Sequence, residues 1–201
     1  MADRVIIDHP LWDRLCELDQ IATERFPSRF DPGFGVLGLI LSSPPRPRGY
    51  FCTPRNSLSF ARTGGDGVHF SFLVQDGRIT EQSPIVMTRP SEIDDHNLIG
   101  GESLFDFLCL GYHRGYFALQ TAPSERFFEA YGSDRWPLTE DLDRHPDWDY
   151  SVGYFVNEQQ RPVLDYLIQE LGLTPWSDLP RKFQRLQERY LPLLEVPDQP
   201  W

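Results

Sequence analysis

The chain has 201 residues, of which 40% are apolar, and its 30 acidic against 19 basic residues give a formal charge of −11. That length suits one domain and allows roughly 70% of the unfolded surface to be buried without a disulfide or metal staple. The negative field argues against direct binding of a phosphate backbone and is compatible with a basic protein as partner, solubility alone being the plainer account of it. No run approaches the roughly 18 apolar residues of a membrane span.

The start, MADRVIIDHP, has only a short apolar stretch before Asp8 and not the basic start and longer apolar run of a signal peptide, so a cytoplasmic location is expected. Three widely spaced cysteines, Cys16, Cys52 and Cys109, fit a reducing compartment and form neither a disulfide framework nor a zinc-binding pattern. Eighteen of the 19 basic residues are arginine and Lys182 is the single lysine, a bias that genomic base composition explains better than function does.

The first predicted helix covers about 9–26, with Asp8 as cap, Pro10 in the first turn and Leu11, Leu15, Leu18 and Ala22 on one face, ending at Pro27. The apolar run 34–41 (FGVLGLIL) is short enough for a strand. Residues 42–48 (SSPPRPR) read as an exposed, proline-rich connection.

Residues 57–74 (SLSFARTGGDGVHFSFLV) predict a β-hairpin. Leu58, Phe60 and Arg62 alternate with Ser57, Ser59 and Ala61. On the second arm Val68, Phe70, Phe72 and Val74 alternate with His69, Ser71 and Leu73, the period of half-buried strands. Gly64-Gly65-Asp66-Gly67 supplies the positive-φ residues of a tight reversal.

A further strand is expected at 83–88, and Asp94-Asp95-His96 lies in a polar loop. Ser103–Leu110 reads as a buried helix opening with a capping box of Ser103 and Asp106 and leaving at Gly111, continued helically by Tyr112–Leu119. A short helix at 124–131 and an acidic, irregular stretch at 136–150 follow. Two more helices are predicted, at about 158–171 (Asn157 cap, Gly172 stop) and about 178–191 (Ser177 cap, Pro180 in the first turn, Phe183, Leu186 and Tyr190 inward). The tail 196–201 is expected to fray. Strands followed by helices, without βαβ alternation, give an α+β fold with a mainly antiparallel sheet, flanking helices and a helical C-terminal extension. The expected division is 1–150 for the α+β domain and 151–201 for an extension packed on it.

Candidate chemistry is sparse. The glycine-rich turn lacks the following helix and the lysine of a phosphate-cradling loop, and Asp66 would repel phosphate, so a hairpin turn is the better account. Asp66 with His69, or Asp94-Asp95-His96, carries ligand-type side chains for a metal-dependent hydrolase, but without a spacing that pre-places two ligands; a polar loop and a surface histidine are the alternative. Cys109 and Cys16 read as buried hydrophobes on apolar helix faces, and Cys52, near Arg55 in an expected loop, is the one cysteine whose setting could favour a thiolate. Trp136, Trp148, Tyr150, Tyr154 and Phe155, in an acidic setting, are either interface aromatics or core packing.

The succession ARTGGDGVHFSFL, SPIVMT and GGESLFDFLCLG resembles the centre of the SUKH superfamily, which contains a fungal cell-wall-assembly regulator and bacterial toxin-immunity proteins. Gly64, Gly65, Asp66 and Gly67 match the family's glycine-rich hairpin. Ser103, Leu104, Phe107 and Leu108 match its S-F-x-x-F-L helix, with Leu104 where the family prefers Phe. The similarity covers about 50–115; the family's Leu-Pro-x-x-Tyr/Phe element is not recognisable, Phe26–Phe30 being a distant candidate. The resemblance implies a twisted antiparallel sheet and a non-enzymatic, cofactor-free, protein-binding role, in bacteria commonly the capping of a toxin. Arg62, Asp66, His69, Trp136 and Trp148 are the expected partner-binding residues, and the C-terminal helices, about 158–191, are a further candidate surface for self-association.

Overall fold

The computed structural model of the chain describes residues 5–28, 31–92, 95–123 and 156–197. In chain order these form β1 (Ile6–Ile7), α1 (Pro10–Arg25), a 3-10 turn (Gly33–Leu37), β2 (Ile40–Arg46), β3 (Ser57–Arg62), β4 (His69–Leu73), β5 (Arg78–Ile79), β6 (Ile85–Thr88), β7 (Asn97–Gly101), α2 (Leu104–Leu110), a 3-10 turn (Phe117–Thr121), α3 (Arg161–Leu171) and α4 (Leu179–Tyr190), closed by a short 3-10 turn (Leu191–Leu193). Five strands make an antiparallel sheet in the order β2-β3-β4-β6-β7, and β1 pairs with β5 in a small parallel sheet. The fold is α+β. No helix among the described residues is long and apolar enough to cross a membrane.

Both faces of the large sheet are covered, which corrects the expectation of half-buried strands. All five β4 side chains, His69 to Leu73, are buried. On one face Phe60, Phe70, Phe72, Ile85, Met87 and Leu98 pack against Trp12, Leu15 and Leu18 of α1 and Leu104, Phe107 and Leu108 of α2. Phe60 and Phe72 meet at 4.5 Å between ring centroids and Phe70 and Phe107 at 4.8 Å, close enough for aromatic pairing to add to burial. Val163, Leu164 and Leu167 of α3 belong to the same core.

On the opposite face Leu73, Val86 and Ile99 are capped by Leu186 and Tyr190 of α4. Gln187 clamps the outer strand: its Oε1 accepts the Ile99 N–H at 2.8 Å and its Nε2 donates to the Ile99 carbonyl at 2.9 Å, covering an edge that would otherwise stay open. Lys182 pairs with the Asp106 carboxylate and stands 4.2 Å above the Trp176 ring, whose Nε1 donates to the Asp106 carbonyl at 3.0 Å. The chain after α4 is tied to the loop before β3, Arg55 N–H donating to the Glu195 carbonyl at 2.9 Å and Asn56 Nδ2 to that of Leu193. The apolar faces of α3 and α4 are thus occupied within the molecule. The boundary at 150, the helix expected at 124–131 and the stretch at 136–150 lie outside the described residues.

Several local expectations are corrected. The apolar run 34–41 is split: the 3-10 turn ends at Gly38, whose φ of 79° and contact with the Phe117 backbone admit no side chain, and β2 starts at Ile40. The proline-rich segment belongs to β2; because β2 is an edge strand, Pro44 and Pro45 remove no central ladder bond. Tyr112–Leu119 does not continue α2 but passes through turns into the second 3-10 segment. The α4 N-cap is Asp178, without a side-chain bond, rather than Ser177, and Asn157 organises the turn before α3, accepting from Gln159 and Gln160. The Ser103 cap of α2 is present, its Oγ accepting the Asp106 N–H at 3.1 Å.

Helix α1 is capped by His9 and not by Asp8. His9 Nδ1 accepts the Trp12 N–H at 3.2 Å while the ring lies 5.1 Å from Phe72. Accepting requires an unprotonated Nδ1, and burial pulls the His9 pKa below its ordinary 6.5 against the opposing pull of Glu81. The native state therefore binds fewer protons than the unfolded chain, so this contribution to stability is complete above pH 6.5 and falls as the pH drops below it. His9→Asn keeps a capping acceptor without titrating, so urea midpoints measured from pH 7.5 down to 5.5 should decline less steeply in the variant than in the wild type; parallel declines would remove His9 as a cause.

Candidate functional site

The β3–β4 hairpin carries a register shift between Ser59 and Ala61: Ser59 faces Ser71, but Ala61 faces Phe70 and Arg62 faces His69. One extra residue in β3 is a β-bulge, and it changes the face on which the following side chain emerges. Strict alternation groups Arg62 with Leu58 and Phe60; the bulge moves it to the His69 side. Across the sheet His69 then faces Thr88, and Thr88 faces Asn97. Register partners share a face, so Arg62, His69, Thr88 and Asn97 form one polar rib over four strands.

The chain between β2 and β3 folds onto this rib. Asn97 Nδ2 donates to the Cys52 carbonyl at 2.9 Å and its Oδ1 accepts from Thr88 Oγ1 at 2.8 Å. Thr53 Oγ1 lies 3.1 Å from His69 Nε2, and His69 Nδ1 lies 2.8 Å from the Gly67 carbonyl. Since a carbonyl only accepts, Nδ1 carries the hydrogen and Nε2 accepts from the Thr53 hydroxyl. His69 is 1% exposed, and burial first, then the nearby Arg48 charge, lowers its pKa against the Gly67 bond that raises it. It is a buried, neutral post, which corrects its expected place on the surface.

Tyr50 stacks on His69 (5.5 Å, 20°) and Phe51 meets His96 edge-on (5.2 Å, 89°), yet both remain open to solvent, at 41% and 50%. Between Tyr50 and the hairpin tip lies a cleft of about 120 Å³, lined by Arg48, Arg62, Asp66, Tyr50, His69 and the turn glycines. Arg48 Nε and Nη2 are buried there without a hydrogen-bond partner. Burial, then repulsion by Arg62 and Arg46, lowers the Arg48 pKa from its ordinary value.

Of the expected site residues, Arg62, Asp66 and His69 come together in this cleft, the first two exposed and His69 as its floor. Trp136, Trp148 and Asp94 lie outside the described residues. Asp66, His69 and His96 do not form a ligand set: both His69 nitrogens are engaged, His96 Nδ1 sits 3.4 Å from the Arg89 carbonyl, and no group of three or more His, Cys, Asp or Glu among the described residues is placed to hold a metal. Burial raises all three thiol pKa values, Cys16 to about 11, and Cys52 is fully buried, so no thiol has the lowered pKa of a nucleophile. Arg48, Tyr50 and Phe51 were not singled out from the sequence; the cue is an Arg-Gly-Tyr-Phe run directly after the prolines.

Comparisons with protein-family models, with curated proteins and with solved structures return no match.

Gly67 ties the hairpin tip to the loop. Its φ is +73° and an added Cβ would stand 2.8 Å from the Tyr50 ring, whereas Gly65 has open space and no positive φ. Gly67→Ala should cost about 1–2 kcal/mol in urea unfolding and displace Tyr50 from His69 in NMR ring-current shifts, while Gly65→Ala stays within about 0.5 kcal/mol; equal effects would show that Gly67 is not the constraint.

Proposed function

We propose that the chain is a non-enzymatic protein-binding domain of the SUKH immunity or regulatory kind, engaging its partner with the Tyr50–Phe51 loop and the adjoining cleft. The observation that carries this reading is the rigid exposure of the aromatic pair. Phe51 is half exposed although the next two residues are fixed to the sheet through Cys52 and Thr53. An exposed aromatic already held in place loses little conformational freedom on docking, and aromatic side chains dominate binding hot spots. The α+β fold and the hairpin and helix motifs are consistent with the family resemblance. The net charge of −11 favours encounter with a basic protein, in a bacterial setting a toxin.

The test is affinity capture from the source organism's lysate with wild-type and Phe51→Asp baits in parallel, at low and high salt. One basic protein should be retained by the wild type at near-equal stoichiometry, be released by salt, and bind the variant at least about 30-fold more weakly, as loss of a hot-spot aromatic predicts. Equal retention by both baits would overturn the assigned face, and a wild-type bait that retains nothing would count against the protein-binding reading.

A further inference from the structure

We infer that the cleft between Arg48 and Arg62 is a carboxylate site, built to receive an aspartate or glutamate side chain of the partner protein. The occupant rests on the protein-binding reading above; the ligand class rests on the cleft alone.

The first argument is an unanswered donor set. Arg48 presents two buried N–H-bearing nitrogens, Nε and Nη2, that find no acceptor. The Arg48 side chain as a whole is only part-buried, but these two donors are closed to water, and desolvating donors without acceptors is unfavourable. An incoming carboxylate reaches them as the Arg48 side chain turns into the cleft. These two nitrogens are also the edge of the guanidinium that grips a carboxylate with two parallel bonds.

The second argument is charge. Arg48 and Arg62 line one small space, and their mutual repulsion adds to burial in lowering the Arg48 pKa. An anion between them would remove that repulsion. The lining carries two guanidiniums, the Asp66 carboxylate and a neutral His69, which leaves one net positive charge. A single negative charge balances it. A phosphate dianion would overshoot and meet Asp66 at the rim.

Size and surroundings agree. About 120 Å³ accepts a carboxylate with its adjoining methylene. The Tyr50 ring forms one wall and is held by the His69 stack, so the apolar stem of an acidic side chain has a surface to lie on. The bulge after Ser59 is what places Arg62 opposite Arg48's cleft rather than under the sheet.

The site is testable without the partner. In NMR spectra of the full chain, sodium acetate should produce saturable shifts of the Arg48 Nε–Hε signal and of the Gly64–Val68 amides that sodium chloride at equal ionic strength does not. Inorganic phosphate should bind more weakly than acetate. The exposed substitution Arg62→Met should weaken acetate by about tenfold while leaving the remaining amide shifts in place, and Arg48→Met should abolish saturation. Shifts no greater than those of chloride, tighter binding of phosphate than of acetate, or an unchanged affinity in Arg62→Met would each overturn the inference. Acetate binding without a captured partner would sink the protein-binding reading alone. A partner captured through Phe51 by a protein that does not bind acetate would sink the carboxylate site alone.

Discussion

The structure depends on β4 being buried on both sides. Its core face, Phe70 and Phe72, is apolar and needs only α1 and α2 above it. Its other face, His69, Ser71 and Leu73, is two-thirds polar, and burying it requires acceptors and donors supplied by something else. Two different covers meet most of that need, the Ser71 hydroxyl staying buried without a hydrogen-bond partner. Helix α4 lies over the apolar end at Leu73, Val86 and Ile99, and the loop before β3 lies over the polar end at His69, Thr88 and Asn97. The loop is therefore not a free connection. It is the second half of the lid on the sheet, and its backbone is positioned by the hydrogen-bonding demands of buried strand residues.

This coupling fixes what the loop displays. Once Cys52 and Thr53 are tied to Asn97 and His69, the residues just before them have nowhere to go but outward over the hairpin tip. Tyr50 settles on His69, and the absence of a side chain at Gly67 permits that approach. Arg48 then falls beside the turn and Arg62 is turned toward it by the bulge. Buried Arg89 acts in the same manner on the far side, donating to the carbonyls of Gln120, Ala122 and Asp95 and so holding His96 under Phe51. The cleft is a consequence of how the sheet's second face is satisfied.

The parts of this fold legible in the sequence are those with a local period. The 3.6-residue recurrence of Leu15, Leu18 and Ala22 and the alternation of β4 identify α1 and the hairpin, and Ser103 with Asp106 identifies the start of α2. What escaped has nonlocal causes. Two-residue β1 and β5 have no period to detect, and NLIGG of β7 ends in glycines that read as a loop. Prolines in β2 read as a break because only the strand order shows it to be an edge. A bulge leaves no signature in SLSFAR, so Arg62 is assigned to the wrong face, and histidine is outside the usual capping set, so the sequence points to Asp8 and not to His9. The hairpin members of the site, Arg62, Asp66 and His69, could be named, but their roles could not. Arg48, Tyr50 and Phe51 join them only through the rib of His69, Thr88 and Asn97, which is set by register across strands far apart in sequence.

The charge of the molecule acts on two length scales that point in different directions. At separations beyond the Debye length, about 8 Å at physiological salt, a partner senses an attenuated field dominated by the net −11. In contact it senses a cleft whose lining is net positive and whose Arg48 donors are unanswered. A partner that is merely basic gains from the first and is repelled by the second. A basic partner that also carries one well-placed acidic side chain gains from both, and a partner lacking either feature loses one of the two. For the protein-binding role proposed above, opposed near and far fields would discriminate among basic proteins that long-range attraction alone would admit together. The arrangement needs no large apolar patch, only a rigid aromatic pair beside a charged notch, and the same buried rib that stabilises the sheet makes both rigid.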